Sequence, residues 1–233
     1  MSNIELSPAP ILLLVEGDRL TREEFERRYD AMPELKKAEL IEGVVHMPSP
    51  VSWSKHGSPH IRIDGWLVTY EAATPGTQSA TDSTIRLDLA NVPQPDAALI
   101  ILPSHGGQGT ISADGYLEGA PELAVEVAAS SASHDLNAKL RVYQRNGVRE
   151  YVVWHVEKQQ LDWFILRDGK FDRLAPTPAG VLCSETFPGL WLDTAALFAG
   201  DFPAVLAALH RGISDPAHTA LVSELRSRVG ETA

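Results

Sequence analysis

The chain has 233 residues, 44% of them apolar and 22% charged, an ordinary make-up for a globular protein long enough to bury a substantial core. No apolar run approaches the roughly 20 residues that cross a bilayer, and a single cysteine, Cys183, excludes an internal disulfide framework and a cysteine-built zinc site. The net charge of −11, from 20 Lys and Arg against 31 Asp and Glu, argues against tight binding of duplex DNA over the general surface, because basic side chains must neutralise phosphates.

The first apolar stretch, Pro10 to Val15, is about six residues long and lacks a basic lead-in, so it is not a signal peptide. A cytoplasmic protein is the simplest reading. Thr21 followed three residues later by Glu24 is a capping box and predicts a helix from Thr21 to Tyr29. Ala38 to Met47 reads as a hairpin turning at Glu42-Gly43, and Pro48-Ser-Pro50 starts a loop. Ile61, Ile63, Trp66, Leu67 and Tyr70 recur at helical spacing and predict an amphipathic helix from Ile61 to Ala73. Gln78 to Leu89 reads as one strand, with Ile85, Leu87 and Leu89 alternating.

The prolines of Asn91-Val-Pro-Gln-Pro95 break the chain before a second, strongly apolar strand that begins at Asp96. His105 to Glu118 is a glycine-rich loop, without the Gly-Lys-Ser/Thr ending of a phosphate-binding loop. The strand Leu123 to Ala128 leads through Ser130-Ser-Ala-Ser133 into a helix from Leu136 to Asn146, stopped by Gly147. Glu150 to Val156 and Leu161 to Leu166 are further strands, and Asp168-Gly169 marks a tight turn into Phe171 to Leu174. Thr194 to Val229 is mostly helical. Strands and helices alternating in this way predict an α/β or α+β fold, a central mixed sheet flanked by helices.

Two carboxylates stand out because Asp and Glu are poor strand residues, and a carboxylate inside an apolar run is costly unless paired or bound to a metal. On the strand Leu123 to Ala128, period-two alternation puts Glu126 on the face of Ala124 and Ala128, with open space around it. Asp96 shares its face with Ala98 in the same way. The bland alternative for each is an exposed strand end. Lys139 falls about 300° around the helical wheel from Leu136, bordering the apolar stripe, so its ammonium either reaches the carboxylates or snorkels to water. Glu39, on the first hairpin strand, is a further candidate ligand, whereas Glu42 belongs to the turn. His56 and His60 have i,i+4 spacing, but Gly57 and Pro59 argue against a regular helix there, and no third zinc ligand stands in register. His56 is an accessory candidate and His60 a structural one. Trp154, Trp163 and Phe164 read as core.

Taken together, Glu39-Leu-Ile-Glu-Gly43 with Met47-Pro-Ser-Pro50, Pro95-Asp96, Glu122-Leu-Ala-Val-Glu126-Val, Asp135-Leu-Asn-Ala-Lys139, Tyr143 and Gly147-Val-Arg-Glu-Tyr-Val152 resemble the Uma-type restriction endonuclease family of the PD-(D/E)XK superfamily. The resemblance covers roughly residues 20 to 175. It implies a four- or five-stranded mixed sheet, and an acidic site that binds Mg²⁺, with Mn²⁺ as a substitute, and hydrolyses phosphodiesters in DNA. It assigns metal ligation to Asp96, Glu126 and Glu39 and orientation of the attacking water to Lys139. The usual lysine position of the superfamily, two residues after the second acid, is Ala128 here, and Lys139 fits a relocation to the following helix. On this basis residues 1–19 form an N-terminal extension, 20–193 the endonuclease-like domain and 194–233 a C-terminal helical appendage.

The leading functional expectation is therefore a metal-dependent endodeoxyribonuclease whose metal stabilises the fold. A homodimer would suit cleavage of two strands. The net charge and Ala128 favour the first alternative, a binding module of the same fold without cleavage. The second is an interaction protein using the C-terminal helices.

Overall fold

In the computed structural model, which describes residues 11–47, 52–128 and 133–229, the Thr21 hydroxyl accepts from the Glu24 N–H and starts helix α1, Arg22–Asp30. Only this half of the capping box forms. The Glu24 carboxylate turns instead to Arg27 and Arg28, because charge-assisted bonds outweigh one to a backbone N–H. Strands β1, Glu39–Ile41, and β2, Val44–His46, pair antiparallel as expected. Glu42 and Gly43 join them with φ values of +51° and +75°, the doubly left-handed turn that suits the twist of a hairpin. The Pro48-Ser-Pro50 loop and the Ser130-Ser-Ala132 part of the later linker lie outside the described residues.

Helix α2, Ser58–Ala73, is entered through a π-helical turn at Trp53–Gly57. Against the expectation that Gly57 and Pro59 exclude a regular helix here, the segment is helical throughout, π-helical to Gly57 and α-helical from Ser58, because Pro59 falls in the first positions of α2, where its missing N–H costs nothing. His56 and His60 therefore stand on one continuous helical run. The single strand expected over Gln78 to Leu89 is in fact two, β3, Thr77–Thr81, and β4, Ile85–Arg86. Asp82, at φ +47°, breaks the run and sends β4 into a different sheet.

Strand β5 is Ala97–Ile101. The glycine-rich stretch that follows is more than a loop: β6, Thr110–Ile111, and β7, Leu117–Glu118, complete a three-stranded sheet with β4. Then come β8, Leu123–Ala128, α3, Ser133–Asn146, β9, Glu150–His155, β10, Gln160–Arg167, and β11, Lys170–Arg173. A small hairpin of β12, Val181–Cys183, and β13, Trp191–Asp193, precedes three helices, α4, Thr194–Ala199, α5, Phe202–Ile213, and α6, Pro216–Val229. No helix among the described residues is long and apolar enough to cross a membrane.

The central sheet has six strands in the order β11-β10-β9-β8-β5-β3, not four or five, because the hairpin turning at Asp168-Gly169 extends one edge. Strands β8 and β9 are parallel, as a crossover through α3 requires, and the other pairs are antiparallel. The sheet is thus mixed and flanked by helices. Its two faces follow the sequence alternation. Leu123, Val125 and Val127 pack with Ile63, Trp66, Leu67 and Tyr70 of α2, in a core that also takes Leu197, Val205, Leu209, Leu221 and Leu225 from the last three helices. Ala124 points the other way, into a smaller cluster with Tyr143, Tyr151 and Val153. Full burial of each such aliphatic side chain stabilises the fold by about 1.5–3 kcal/mol before entropy is charged against it.

Candidate active site

The register of the central sheet brings the two strand carboxylates together. Ala97 pairs with Val125, so the next position out on each strand sets Asp96 across from Glu126. In an antiparallel pair, opposed residues share a face. Asp96 stands just before β5 and Glu126 lies within β8, and both are buried, at 4% and 7% exposure. Neither is an exposed strand end. Glu39, from β1, is buried as well.

Each carboxylate commits one oxygen to the fold. Asp96 Oδ2 accepts the Val127 N–H at 2.7 Å. Glu126 Oε1 accepts from Lys139 Nζ at 2.9 Å and from the Tyr143 hydroxyl at 3.2 Å. Glu39 Oε1 accepts from the Gln94 N–H at 2.6 Å and from Lys139 Nζ at 2.8 Å. The second oxygens of Glu126 and Glu39 have no partner among the described residues. Asp96 Oδ1 has two long contacts, 3.3 Å to Lys37 Nζ and 3.5 Å to His56 Nε2.

Lys139 thus neither snorkels nor touches Asp96; it bridges Glu39 and Glu126 from α3. Burial penalises its ammonium, but Glu126 and Glu39 together outweigh that penalty and hold its pKa above the usual lysine value. Burial pushes the Glu126 carboxyl up to about 7, against the pull of Lys139 and with help from Asp96 and Glu39. Burial also raises the Tyr143 phenol well above its ordinary range, reinforced by Glu126, so Tyr143 stays a donor. Lys37 is a second site lysine that the sequence reading missed. Burial works against its ammonium, yet Asp96 and Asp82 raise its pKa. A signal was available, because Lys37 stands two residues before Glu39, the spacing that puts side chains on one face of a strand.

Both histidines lie beside Asp96. The third partner that the i,i+4 spacing lacked is Asp96, and one ligand atom from each of His56, His60 and Asp96 lies within 4.8 Å of the others. The two rings play different parts. His60 Nε2 is 2.6 Å from the Asp96 carbonyl oxygen, which only accepts, so this nitrogen donates its proton there and holds the Asp96 backbone. His56 Nδ1 is 2.8 Å from the Val127 carbonyl oxygen and donates in the same way. In the neutral ring that leaves the His56 Nε2 lone pair facing Asp96 Oδ1 at 3.5 Å. A nitrogen lone pair and a carboxylate oxygen so placed are both able to serve as ligands of one cation.

Several predicted features stay outside this cluster. Glu42 forms the hairpin turn and pairs with Arg141 and Arg145. His105 sits in a short 3₁₀ turn. Ala128, at the usual lysine position, is partly buried and packs against the Tyr143 cluster. Trp154 and Trp163 are core residues, as expected.

Comparisons with known proteins agree with this architecture. A search among curated proteins finds no match. Among solved structures, the chain is similar to a protein from Anabaena variabilis described as "a putative nuclease belonging to DUF820", with a TM-score of 0.58, 14% identity, and coverage of 74% of this chain and 96% of that one. At that identity the likeness shows the fold alone, which is restriction-endonuclease-like. Residues 22–195 match the model of the Uma2 family, described as "Putative restriction endonuclease", a span that takes in Glu39, Asp96, Glu126 and Lys139 and covers more than half of the chain. The chain belongs to the Uma2 family.

Proposed function

We propose that the chain is a metal-dependent endonuclease that hydrolyses phosphodiester bonds in DNA, and that Asp96, Glu126 and Glu39 hold its divalent cation. One observation carries this reading: three buried carboxylates each anchor one oxygen in the fold and leave the other uncommitted or loosely held. A buried oxygen set of that kind is costly without a cation and matches the hard-ligand chemistry of Mg²⁺ or Mn²⁺. The donor set therefore fits the metal that the family implies. When bound, such an ion offers Lewis-acid stabilisation of charge developing on a phosphoryl group.

The protein side chains supply the rest. Lys139 keeps Glu126 and Glu39 fixed and carries a permanent positive charge next to the reacting phosphate, where it orients the attacking water. Tyr143 holds Glu126 from α3. His60 and the Val127 N–H fix Asp96 from two directions, so that its Oδ1 keeps one orientation. Preorganisation of this sort supplies transition-state stabilisation without rearrangement during the reaction. Lys37 and Lys139 offset part of the negative charge of the four carboxylates around them, and a bound cation would supply the remaining attraction for a phosphate.

The test is a calorimetric titration of Mn²⁺ into the wild type and Asp96→Asn, followed by cleavage of supercoiled plasmid with and without metal. Saturable binding in the wild type, weakened more than about 100-fold in the variant, together with metal-dependent nicking, is the expected result. Absence of both binding and nicking would overturn the proposal and favour the non-cleaving module, a reading that Ala128 and the net charge already support.

A further inference from the structure

A cavity of about 310 Å³ opens on the α2 face of the central sheet, between the π-helical turn and the end of β9. It adjoins the carboxylate site through shared elements. Trp53, on its wall, begins the turn that carries His56. Pro59, also on the wall, precedes His60. Trp154, a third wall residue, is the ladder partner of Val127, whose carbonyl holds His56. Nothing in the hydrolytic reading uses this cavity.

Its walls carry three independent features. Trp53 is 87% exposed, a broad indole face presented to whatever enters. Arg62 has no ion pair or hydrogen bond among the described residues; its guanidinium rests instead near Gly200. Trp154 is only 4% exposed, and its indole N–H is a fully buried donor without a partner among the described residues. Phe198 adds a further aromatic surface.

We propose that this cavity receives one unpaired nucleobase of the nucleic-acid strand, with Arg62 on the attached phosphate. The inference rests on the nuclease reading for the polymer concerned. Aromatic faces stack on any base, and an arginine adds both phosphate and cation–π contacts. The volume lies at the lower end of the roughly 300–1,000 Å³ typical of ligand pockets, enough for a single base and too little for a base pair with its backbone. The site therefore selects strand regions whose bases are free to splay out.

The experiment uses the full chain in EDTA, so that nothing is cut, and follows tryptophan fluorescence. The two ligands are an unstructured single-stranded deoxyoligonucleotide and a fully paired hairpin of the same base composition. The unpaired strand is expected to quench fluorescence and to bind at least about tenfold more tightly than the hairpin. Trp53→Ala should weaken strand binding about tenfold, Trp53→Phe should restore most of it, and Arg62→Ala should also weaken it. Equal affinity for the two ligands, no binding of either, or wild-type affinity in a Trp53→Ala protein of unchanged melting temperature would overturn the proposal. So would a free mononucleotide binding as tightly as the strand, which would make the cavity a nucleotide site. Metal-dependent cleavage by the same preparations separates the two readings: nicking without unpaired-base preference rejects the pocket alone, and strand binding by Trp53 without nicking rejects the nuclease alone.

Discussion

Lys139 Nζ lies 2.9 Å from Glu126 Oε1, and both side chains are withdrawn from solvent to about a tenth of their full exposure. The same ammonium holds Glu39 Oε1 at 2.8 Å, so one α3 side chain balances two buried carboxylates. Removing a single partner from a buried charge cluster costs about 3–5 kcal/mol, because the partners left behind are unpaired. Lys139→Met should therefore lower stability by that order near neutral pH, as well as abolish cleavage. Partial restoration of stability, without activity, in the double variant Lys139→Met/Glu126→Gln, which still leaves Glu39 unpaired, would separate the two roles in urea denaturation curves. A Lys139→Met protein as stable as the wild type would show that the pair contributes nothing to folding.

Lys37 sits 3.3 Å from Asp96 Oδ1 and 2.9 Å from Asp82. An ammonium on the oxygen proposed to hold the cation competes with a metal ion for the same charge. Lys37→Met should tighten Mn²⁺ binding by about tenfold, equivalent to about 1.4 kcal/mol, while lowering cleavage. Calorimetry of the variant reads the first effect, and weaker binding than in the wild type would exclude competition.

Glu150 is fully buried and accepts from Trp163 Nε1, the Ser184 hydroxyl and the Glu185 and Thr186 N–H groups, at 2.7 to 2.9 Å. This carboxylate ties β9 to β10 and to the segment before β13. Burial raises its pKa despite those donors. Glu150→Ala leaves four donors without an acceptor, at about 1 kcal/mol or more each, so a loss above about 3 kcal/mol is expected in urea denaturation.

His218, on α6, is 2.9 Å from the Thr74 hydroxyl and edge-on to Tyr70. Burial lowers its pKa below the usual 6.5, partly offset by a hydrogen bond to Ile213. The unfolded chain then takes up a proton near pH 6.5 that the folded protein does not. Stability from this group is complete above that pH and declines as the pH falls through it. Thermal melts should show a falling Tm below about pH 6.5, with a shallower slope in His218→Gln. Identical slopes would remove His218 from the acid sensitivity.

The features legible along the chain are local. Alternation along β8 placed Glu126 opposite the face of Leu123, Val125 and Val127, because strand side chains have a fixed period of two. Helical spacing put Lys139 at the margin of the apolar stripe, and Glu42-Gly43 and Asp168-Gly169 carried the backbone preference of their turns. Those rules act over a few residues and need no partner. Which side chains meet was settled by long-range packing. The pairing of Ala97 with Val125 depends on a register set by strands far apart in the chain, and it alone brings Asp96 to Glu126. Asp82 splits a run whose alternation reads as continuous, because one left-handed residue redirects β4 to another sheet. The Val127 carbonyl sets the His56 tautomer, and Lys37 reaches Asp96 across 59 positions. Contacts of that range are chosen by the packing of the whole domain, which no window of sequence contains.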